Sequence, residues 1–336
     1  MVAGFPPKIS RWGAILITLW WTVPVIALDE LRLLPDAKGE QRVISGEIED
    51  IREGQILIRV GTSTRPIPVL DVVQIESTWQ PAHRSADHQL SHHAWDAALI
   101  AYRQAYEAEQ RPWCRRLLVK QMAVALQGQG QDARAALLLL QILEVDPAST
   151  YVSNLPLAWP VRARTAAEQQ QASLWIDESL PAAQLLGASW LLVGNERQQA
   201  LNTLSSLTEH TNPLIAQLAL AQIWRVTPAS SEPALAQRRE LVAKFHSTIQ
   251  AGPRFVLIEA ARNDAPPADI AIDLLRIPIL YPEQTCLVPE ALAAAAEVLR
   301  NNDRVDEASL VTRELVHNYP QTLAGSTASS MDTGSR

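Results

Sequence analysis

The stretch from Arg116 to Pro147 limits what this chain can fold into more than any other. It reads RLLVKQMAVALQGQGQDARAALLLLQILEVDP. Apolar and small residues recur three and four apart from Leu117 to Leu126, stop at Gly128 and Gly130, and resume from Ala133 to Val145. That is the period of an α-helix with one covered face. The pattern predicts two amphipathic helices joined by a tight glycine turn, with Asp132 capping the second and Pro147 beyond its end. A lone hairpin cannot bury its apolar face, so it needs neighbours of the same kind.

The neighbours are visible from Ala82 onward. Ala82 to Leu90 predicts a short helix, Ser91-His92-His93 a turn, and Trp95 to Glu109 a second helix with Ala98, Tyr102 and Ala105 on one face. Arg111-Pro112 ends it, and the pair Arg115-Arg116 reads as a solvated helix start. Asp146 to Trp159 is a long connection containing Pro147 and Pro156, followed by Pro160. Helices are expected over Arg162 to Ile176, from Pro181 with Ser179 as its cap, and from Asn212-Pro213 to near Arg225. After a loop at Pro228 to Pro233, one long helix is expected from Ala234 to Gln250, broken by Gly252-Pro253. A short helix from Phe255 to Arg262 and a deeply buried one from Asp269 to Leu280, ended or kinked by Pro278, follow. A loop at Tyr281 to Val288 precedes a last hairpin over Pro289 to Pro320. Residues 321–336 lack an apolar pattern and are expected to be a disordered tail.

The front of the chain has another texture. In residues 29–78, Leu31 and Leu33 alternate, Val43-Ile44, Ile48 and Ile51 follow a charged turn, and Ile56, Ile58 and Val60 alternate behind Glu53-Gly54. Gly61 to Arg65 gives another turn, and Ile67, Val69, Val73 and Ile75 close the region. Period-two patterning with turns every few residues predicts about five short strands, which at this length close into a small barrel without a long exposed edge. Residues 1–27 read as an export signal: Lys8 and Arg11 precede an apolar run from Gly13 to Val23, and Val25-Ile26-Ala27 suits a signal peptidase. The uncharged run from Trp12 to Leu28 is near the short end of the ~17–25 residues that span a bilayer, so an uncleaved membrane anchor is the rival reading. Either way the body of the protein is expected outside the cytoplasm, periplasmic or associated with the cell envelope.

Two resemblances rest on these residues. Gly46-Glu47-Ile48, Ile56 to Ile58 and the run Ile67-Pro68-Val69-Leu70-Asp71-Val72-Val73-Gln74-Ile75 are similar to small SH3-like or Sm-like barrel modules at the front of exported bacterial repeat proteins. The helical part, residues 82–320, resembles tetratricopeptide repeats, which are helix–turn–helix units of about 34 residues with small residues where helices touch. Ala123, Leu126, Gly130, Ala135, Leu139, Ile142 and Pro147 fall at pattern positions. So do Ala86, Trp95, Ala98, Tyr102 and Ala105 before them, although Gln89 and His93 replace an apolar residue and a turn glycine. A third match has Gly187, Ala188, Leu191, Ala200, Leu204 and Leu207 with Asn195 at the turn. A fourth has Ala295, Ala296, Leu299, Ala308 and Leu315, with Thr312 in place of a large apolar residue. The contact alanines Ala98, Ala135, Ala200 and Ala308 are spaced close to one, two and three repeats. The resemblance implies a mainly α fold, an α-solenoid of antiparallel helix pairs, with a concave face into which Lys120, Gln127, Ser189, Arg300 and Asn301 point.

No catalytic constellation is present in the sequence. Gly128-Gln129-Gly130 lacks the Gly-Lys-Ser/Thr of a phosphate loop, and no nucleophile elbow occurs. His88 and His92 are four apart and could share a helix face as metal ligands, but a third ligand is missing and a solvated helix end explains them. Trp95, Trp113, Trp175, Trp190 and Trp224 sit at helical spacings that fit core packing. Asp303, Asp306 and Glu307 suit the start of the last helix. A formal net charge of -7 without a basic block excludes a nucleic-acid footprint. Cys114 and Cys286 form no CxxC pair, and two separately buried thiols are expected. The expected role is a non-catalytic scaffold or adaptor of the bacterial envelope, without cofactor or metal, that holds an unidentified protein or peptide. A self-associating structural component is the first alternative, and an enzyme or metal-binding protein the second. Contact with a membrane is expected only if the N-terminal segment is uncleaved.

Overall fold

The computed structural model describes residues 28–35, 39–162, 164–229 and 231–334. The expected export segment at 1–27 lies outside them.

The described residues form a small antiparallel sheet followed by a mainly helical body. The strands are β1 (Asp29–Leu33), β2 (Val43–Arg52), β3 (Gln55–Val60), β4 (Ser63–Pro68) and β5 (Val72–Glu76), in the order β4-β3-β2-β1-β5. Alternation puts Leu31, Leu33, Ile48, Ile56 and Ile58 on the covered face, each at most 5% exposed. Glu53 and Gly54 both have positive φ (54° and 70°), the turn whose twist suits a two-residue hairpin between β2 and β3. The turn expected over Gly61 to Arg65 is shorter, because Ser63 already pairs with Val60. Pro66 and Pro68 are tolerated in β4 because it is an edge strand.

Fourteen helices follow among the described residues: α1 (Pro81–Ser91), α2 (Trp95–Ala108), α3 (Pro112–Gly128), α4 (Asp132–Val145), α5 (Ala166–Ile176), α6 (Pro181–Leu191), α7 (Arg197–Leu207), α8 (Pro213–Trp224), α9 (Glu232–Ala243), α10 (Ala251–Ala260), α11 (Pro267–Leu280), α12 (Val288–Arg300), α13 (Val305–Asn318) and α14 (Leu323–Gly334). Three hairpins share one turn. Each has a left-handed residue, His93 (φ 57°), Gly130 (φ 69°) or Asp303 (φ 60°). In each, that residue's N–H donates to the carbonyl three back, and the next N–H to the carbonyl five back: Ala94 to Gln89, Gln131 to Leu126, Arg304 to Leu299. His93 therefore takes up the glycine conformation although it is not glycine. The α6–α7 hairpin differs, since Asn195 has no positive φ.

Several local expectations are corrected. Asp132 does not cap α4: Gln131 is the cap residue without a side-chain bond, and Asp132 instead meets Arg164 at 3.3 Å. Ser179 does not cap α6, whose cap residue is Leu180. The long helix expected from Ala234 to Gln250 ends at Ala243 and gives way to a 3-10 turn at Ser247–Ile249, which buries Phe245 and Ile249. Gly252-Pro253 does not break a helix but sits in the first turn of α10, where proline's missing N–H is no loss. Gly252 is needed there because a Cβ would come within 2.0 Å of the Trp159 ring. Helix α11 is not buried on two sides: Ile270, Ala271, Leu274 and Ile277 are covered, while Ile272, Ile279 and Leu280 face out. Arg116 is not solvated, since its Nη2 bonds Asp50 and the Ile51 carbonyl (2.6 Å) and ties α3 to β2. The tail expected to be disordered forms α14. It docks through small residues, with Ala324 buried and Gly325 placed where an added Cβ would fall 1.9 Å from the Tyr319 carbonyl oxygen.

The ends of the helical body meet. The Trp95 indole N–H donates to the Asn318 carbonyl at 2.8 Å, across 223 residues, and His93, Trp95 and Tyr319 pack ring on ring with centroids 5.0–5.5 Å apart. In a linear stack each repeat touches only its neighbours. Here the first hairpin touches the last, which departs from the open rod expected of a solenoid.

The shared turn gives a clean test. Asp303 is exposed and held left-handed, so Asp303→Gly should raise stability by about 0.5–1 kcal/mol in chemical denaturation. Gly130→Ala should do the opposite by at least as much, because its Cβ also meets the Gln321 carbonyl at 2.8 Å.

Candidate functional site

The long connection expected after α4 runs through the interior rather than over the surface. Val152, Leu155, Leu157, Ala158 and Trp159 are each at most 5% exposed, and only Thr150–Asn154 has regular structure, a 3-10 turn. Buried backbone outside a helix or sheet needs hydrogen-bond partners from elsewhere. Side chains of the surrounding helices supply them. Gln127 Nε2 donates to the Asn154 carbonyl (2.7 Å), Trp190 Nε1 to that of Pro156 (2.8 Å), and Gln284 Nε2 to that of Ser153 (3.2 Å). Ser189 Oγ accepts the Ala158 N–H at 2.9 Å and donates to Gln222 Oε1 at 2.9 Å. Arg225 donates to the carbonyls of Trp159 (3.2 Å), Pro160 (2.9 Å) and Ser189 (2.9 Å) and to Gln222 Oε1 (2.6 Å). Thr285 Oγ1 lies 3.0 Å from the Val124 carbonyl and 3.2 Å from Gln127 Oε1.

This segment explains where the expected surface residues go. Gln127 and Ser189 are 1% and 0% exposed, so they are not part of an open concave face. The helix faces that carry them are covered by the chain's own residues 154–158. Lys120 is half-buried on α3, in a cleft of about 320 Å3 between the sheet and the helices that Asp146 and Tyr151 also line. Burial lowers the pKa of its ammonium, opposed by Glu283 and Asp87. Arg300 and Asn301 are exposed at the end of α12. The five residues are thus split among a cleft, the core and a helix end, and no single surface gathers them.

A second polar centre joins sheet to helices, and the sequence pattern did not point to it. Arg111 Nη1 donates to Ser77 Oγ (2.7 Å), which donates to Asp29 Oδ1 of β1 (2.5 Å). Arg111 also meets Glu109 at 2.8 Å and lies 5.0 Å from the Trp113 ring centroid. Burial pushes the Glu109 carboxyl up, but hydrogen bonds from Arg111's side chain and backbone outweigh it and hold its pKa at about 2. The sequence marks Arg111 only as the residue before a helix-ending proline, and Arg225 only as a helix end.

The groups that could do chemistry stand apart. His88 and His92 are exposed and stacked with ring centroids 4.3 Å apart. Among the described residues, no three His, Cys, Asp or Glu side chains are placed to hold a metal ion. Cys114 and Cys286 are free, and burial pushes the Cys114 thiol up to about 12. Trp95, Trp113, Trp175, Trp190 and Trp224 are all buried, as core packing requires. No helix among the described residues is long and apolar enough to cross a membrane.

An exposed apolar face lies on α11. Ile272, Ile279 and Leu280 are 50%, 74% and 58% exposed. Beside them a groove of about 570 Å3 runs between α9, α10 and α11, with Leu257 and Ile258 in its wall and Arg239, Arg254 and Arg276 around it. Compared with known proteins, the chain matches no family model, no curated protein and no solved structure.

Two outcomes test this description. Arg225→Ala leaves several buried carbonyls without a donor, and each such group costs about 1–3 kcal/mol. The variant should lose at least about 3 kcal/mol in urea unfolding. The second concerns pH. Burial lowers the pKa of His83, against Asp87 and Glu109 and with Arg111, and that of His93, with His317 and His92 adding to the effect. The folded state then binds fewer protons than the unfolded state just below 6.5, so stability should fall as pH drops through that region. Glu109 adds a separate loss between about 4.5 and 2. Thermal melts across pH 7.5 to 5 should show the first slope, and a His83→Gln/His93→Asn variant should flatten it whatever its absolute stability.

Proposed function

We propose that this chain is a non-catalytic scaffold or adaptor that holds a protein or peptide partner on a helical-repeat surface. Tetratricopeptide-like hairpins are its unit, and the common left-handed turn of α1–α2, α3–α4 and α12–α13 supports that reading. The strand order β4-β3-β2-β1-β5 with a 3-10 turn at Val69–Asp71 before the last strand supports a small SH3-like module in front. The export signal read from the sequence at 1–27 supports a place in the cell envelope.

The observation that carries the reading is the face of α11. An apolar patch beside a groove with a charged rim is characteristic of a protein contact. The inner helix faces cannot serve, because residues 154–158 fill them at Gln127 and Ser189. The partner site therefore moves to the outer groove beside α11. Self-association through the same face is the second reading, and it rests on the same residues.

The test compares wild type with an Ile279→Asp/Leu280→Asp variant. Both positions are exposed, so unfolding free energy should change by no more than about 0.5 kcal/mol. In crosslinking of envelope fractions, the wild type should retain a distinct partner that the variant loses. A concentration-dependent dimer in sedimentation, lost in the variant, selects self-association. An identical crosslinked set for both proteins, with both monomeric, removes α11 as the contact.

A further inference from the structure

The arginines that enter the interior of this protein come with acceptors to match. Arg111, Arg116, Arg164 and Arg225 each meet carboxylates or carbonyls. Lys120 does not follow that rule. The chain has only four lysines among its 29 basic residues. Of the two that the structure describes, Lys244 is exposed and Lys120 is half-buried on α3. Lys120 lines the cleft of about 320 Å3 between the sheet and the helices. Among the described residues its ammonium has no hydrogen-bond acceptor and no ion-pair partner. The nitrogen is not sealed off, since it keeps open surface.

The cleft around it is largely apolar, walled by Ile51, Ile56, Val73, Ile75, Trp113 and Leu117. Its size is at the lower end of sites for small organic molecules. Its other charges are already engaged: Arg116 bonds Asp50 and the Ile51 carbonyl, and Asp146 accepts the Glu53 N–H at 3.0 Å. Asp87 of α1 and Glu283, ahead of α12, act on Lys120 from beyond ion-pair distance. An anion seated on Lys120 would be repelled by both, so the cleft does not suit one. Burial outweighs the two carboxylates and lowers the pKa of the ammonium, which favours the neutral amine. A guanidinium does not give up its proton, whereas a desolvated lysine does and becomes a nucleophile. That is what a lysine offers in this cleft and an arginine would not.

We propose that Lys120 is a covalent capture site for an aldehyde with an apolar tail. The ammonium gives one proton to solvent, and the nitrogen lone pair attacks the carbonyl carbon to form the C–N bond. The carbon–oxygen bond then breaks. The oxygen leaves as water with the two protons lost by the amine nitrogen, and a C=N imine remains. Nothing is oxidised or reduced. The tail lies against the wall of Ile51, Val73 and Ile75, from which a polar aldehyde gains nothing. The site is separate from the outer face of α11, and neither reading depends on the other.

Reductive trapping in the full chain tests it. The protein is incubated near neutral pH with hexanal or with glyceraldehyde, in the presence of sodium cyanoborohydride, which fixes an imine as a stable amine. Peptide mass spectrometry then gives the rate at each lysine. With hexanal, Lys120 should be alkylated severalfold faster than the exposed Lys244, and with glyceraldehyde that margin should shrink severalfold. Lys120→Arg keeps the charge and should remove the fast phase of hexanal uptake while leaving the unfolding midpoint in place. Alkylation of Lys120 no faster than that of Lys244 overturns the proposal, as does an equal margin with both aldehydes, or a fast phase that survives Lys120→Arg.

Discussion

A stretch of irregular backbone inside a helical protein is the constraint on which the rest of this structure turns. Residues 154–159 have few hydrogen bonds of their own to make, and they are buried. Each orphaned carbonyl or N–H would carry a desolvation cost, so the surrounding helices must present polar side chains at fixed places. Gln127 on α3, Ser189 and Trp190 on α6, Gln222 and Arg225 at the end of α8, and Gln284 before α12 do this. Those helices come from distant parts of the chain. Satisfying one strand of backbone therefore sets their relative positions, and hydrophobic burial then fills the space between them.

Sheet and helices are joined by the same kind of chemistry. Arg111 links β1, the connector and the ends of α2 and α3 through Ser77, Asp29, Glu109 and the faces of Trp79 and Trp113. Arg116 with Asp50, and Asp146 with the Glu53 N–H at 3.0 Å, add a second seam. An arginine in such a place gives direction as well as charge, because its planar donors must all be aimed. The sheet is thus fixed in orientation as well as held close.

The legibility of the sequence follows from these forces. Helical period, proline at first turns and β-branched alternation are local signals, and they located the strands, the hairpins and the buried tryptophans. The common turn was legible at Gly130 but not at His93 or Asp303, where conformation is imposed by the flanking helices on residues that do not favour it. The repeat register places Gln127 and Ser189 on an inner face, and they do lie on helix faces turned toward the chain's own interior. What no local pattern shows is that another segment of the chain occupies that space. The α14 helix leaves no signal for a related reason: it packs through Ala324, Gly325 and Ala328, and small residues at helical spacing give no hydrophobic period. Arg111 and Arg225 each looked like a punctuation mark at a helix end, since the many acceptors around them come from residues far away in sequence.

The meeting of Trp95 with Asn318 and Tyr319 has one more consequence. An open array of helical pairs can gain or lose a unit with little penalty, and it can fray inward from either tip. A chain whose first pair grips its last has no tip to fray from. Inserting a unit would pull the indole away from its carbonyl, so the number of pairs is set by the gap to be bridged. Loss of either terminus should then be felt at the other, and the helical body should melt as one body instead of in instalments.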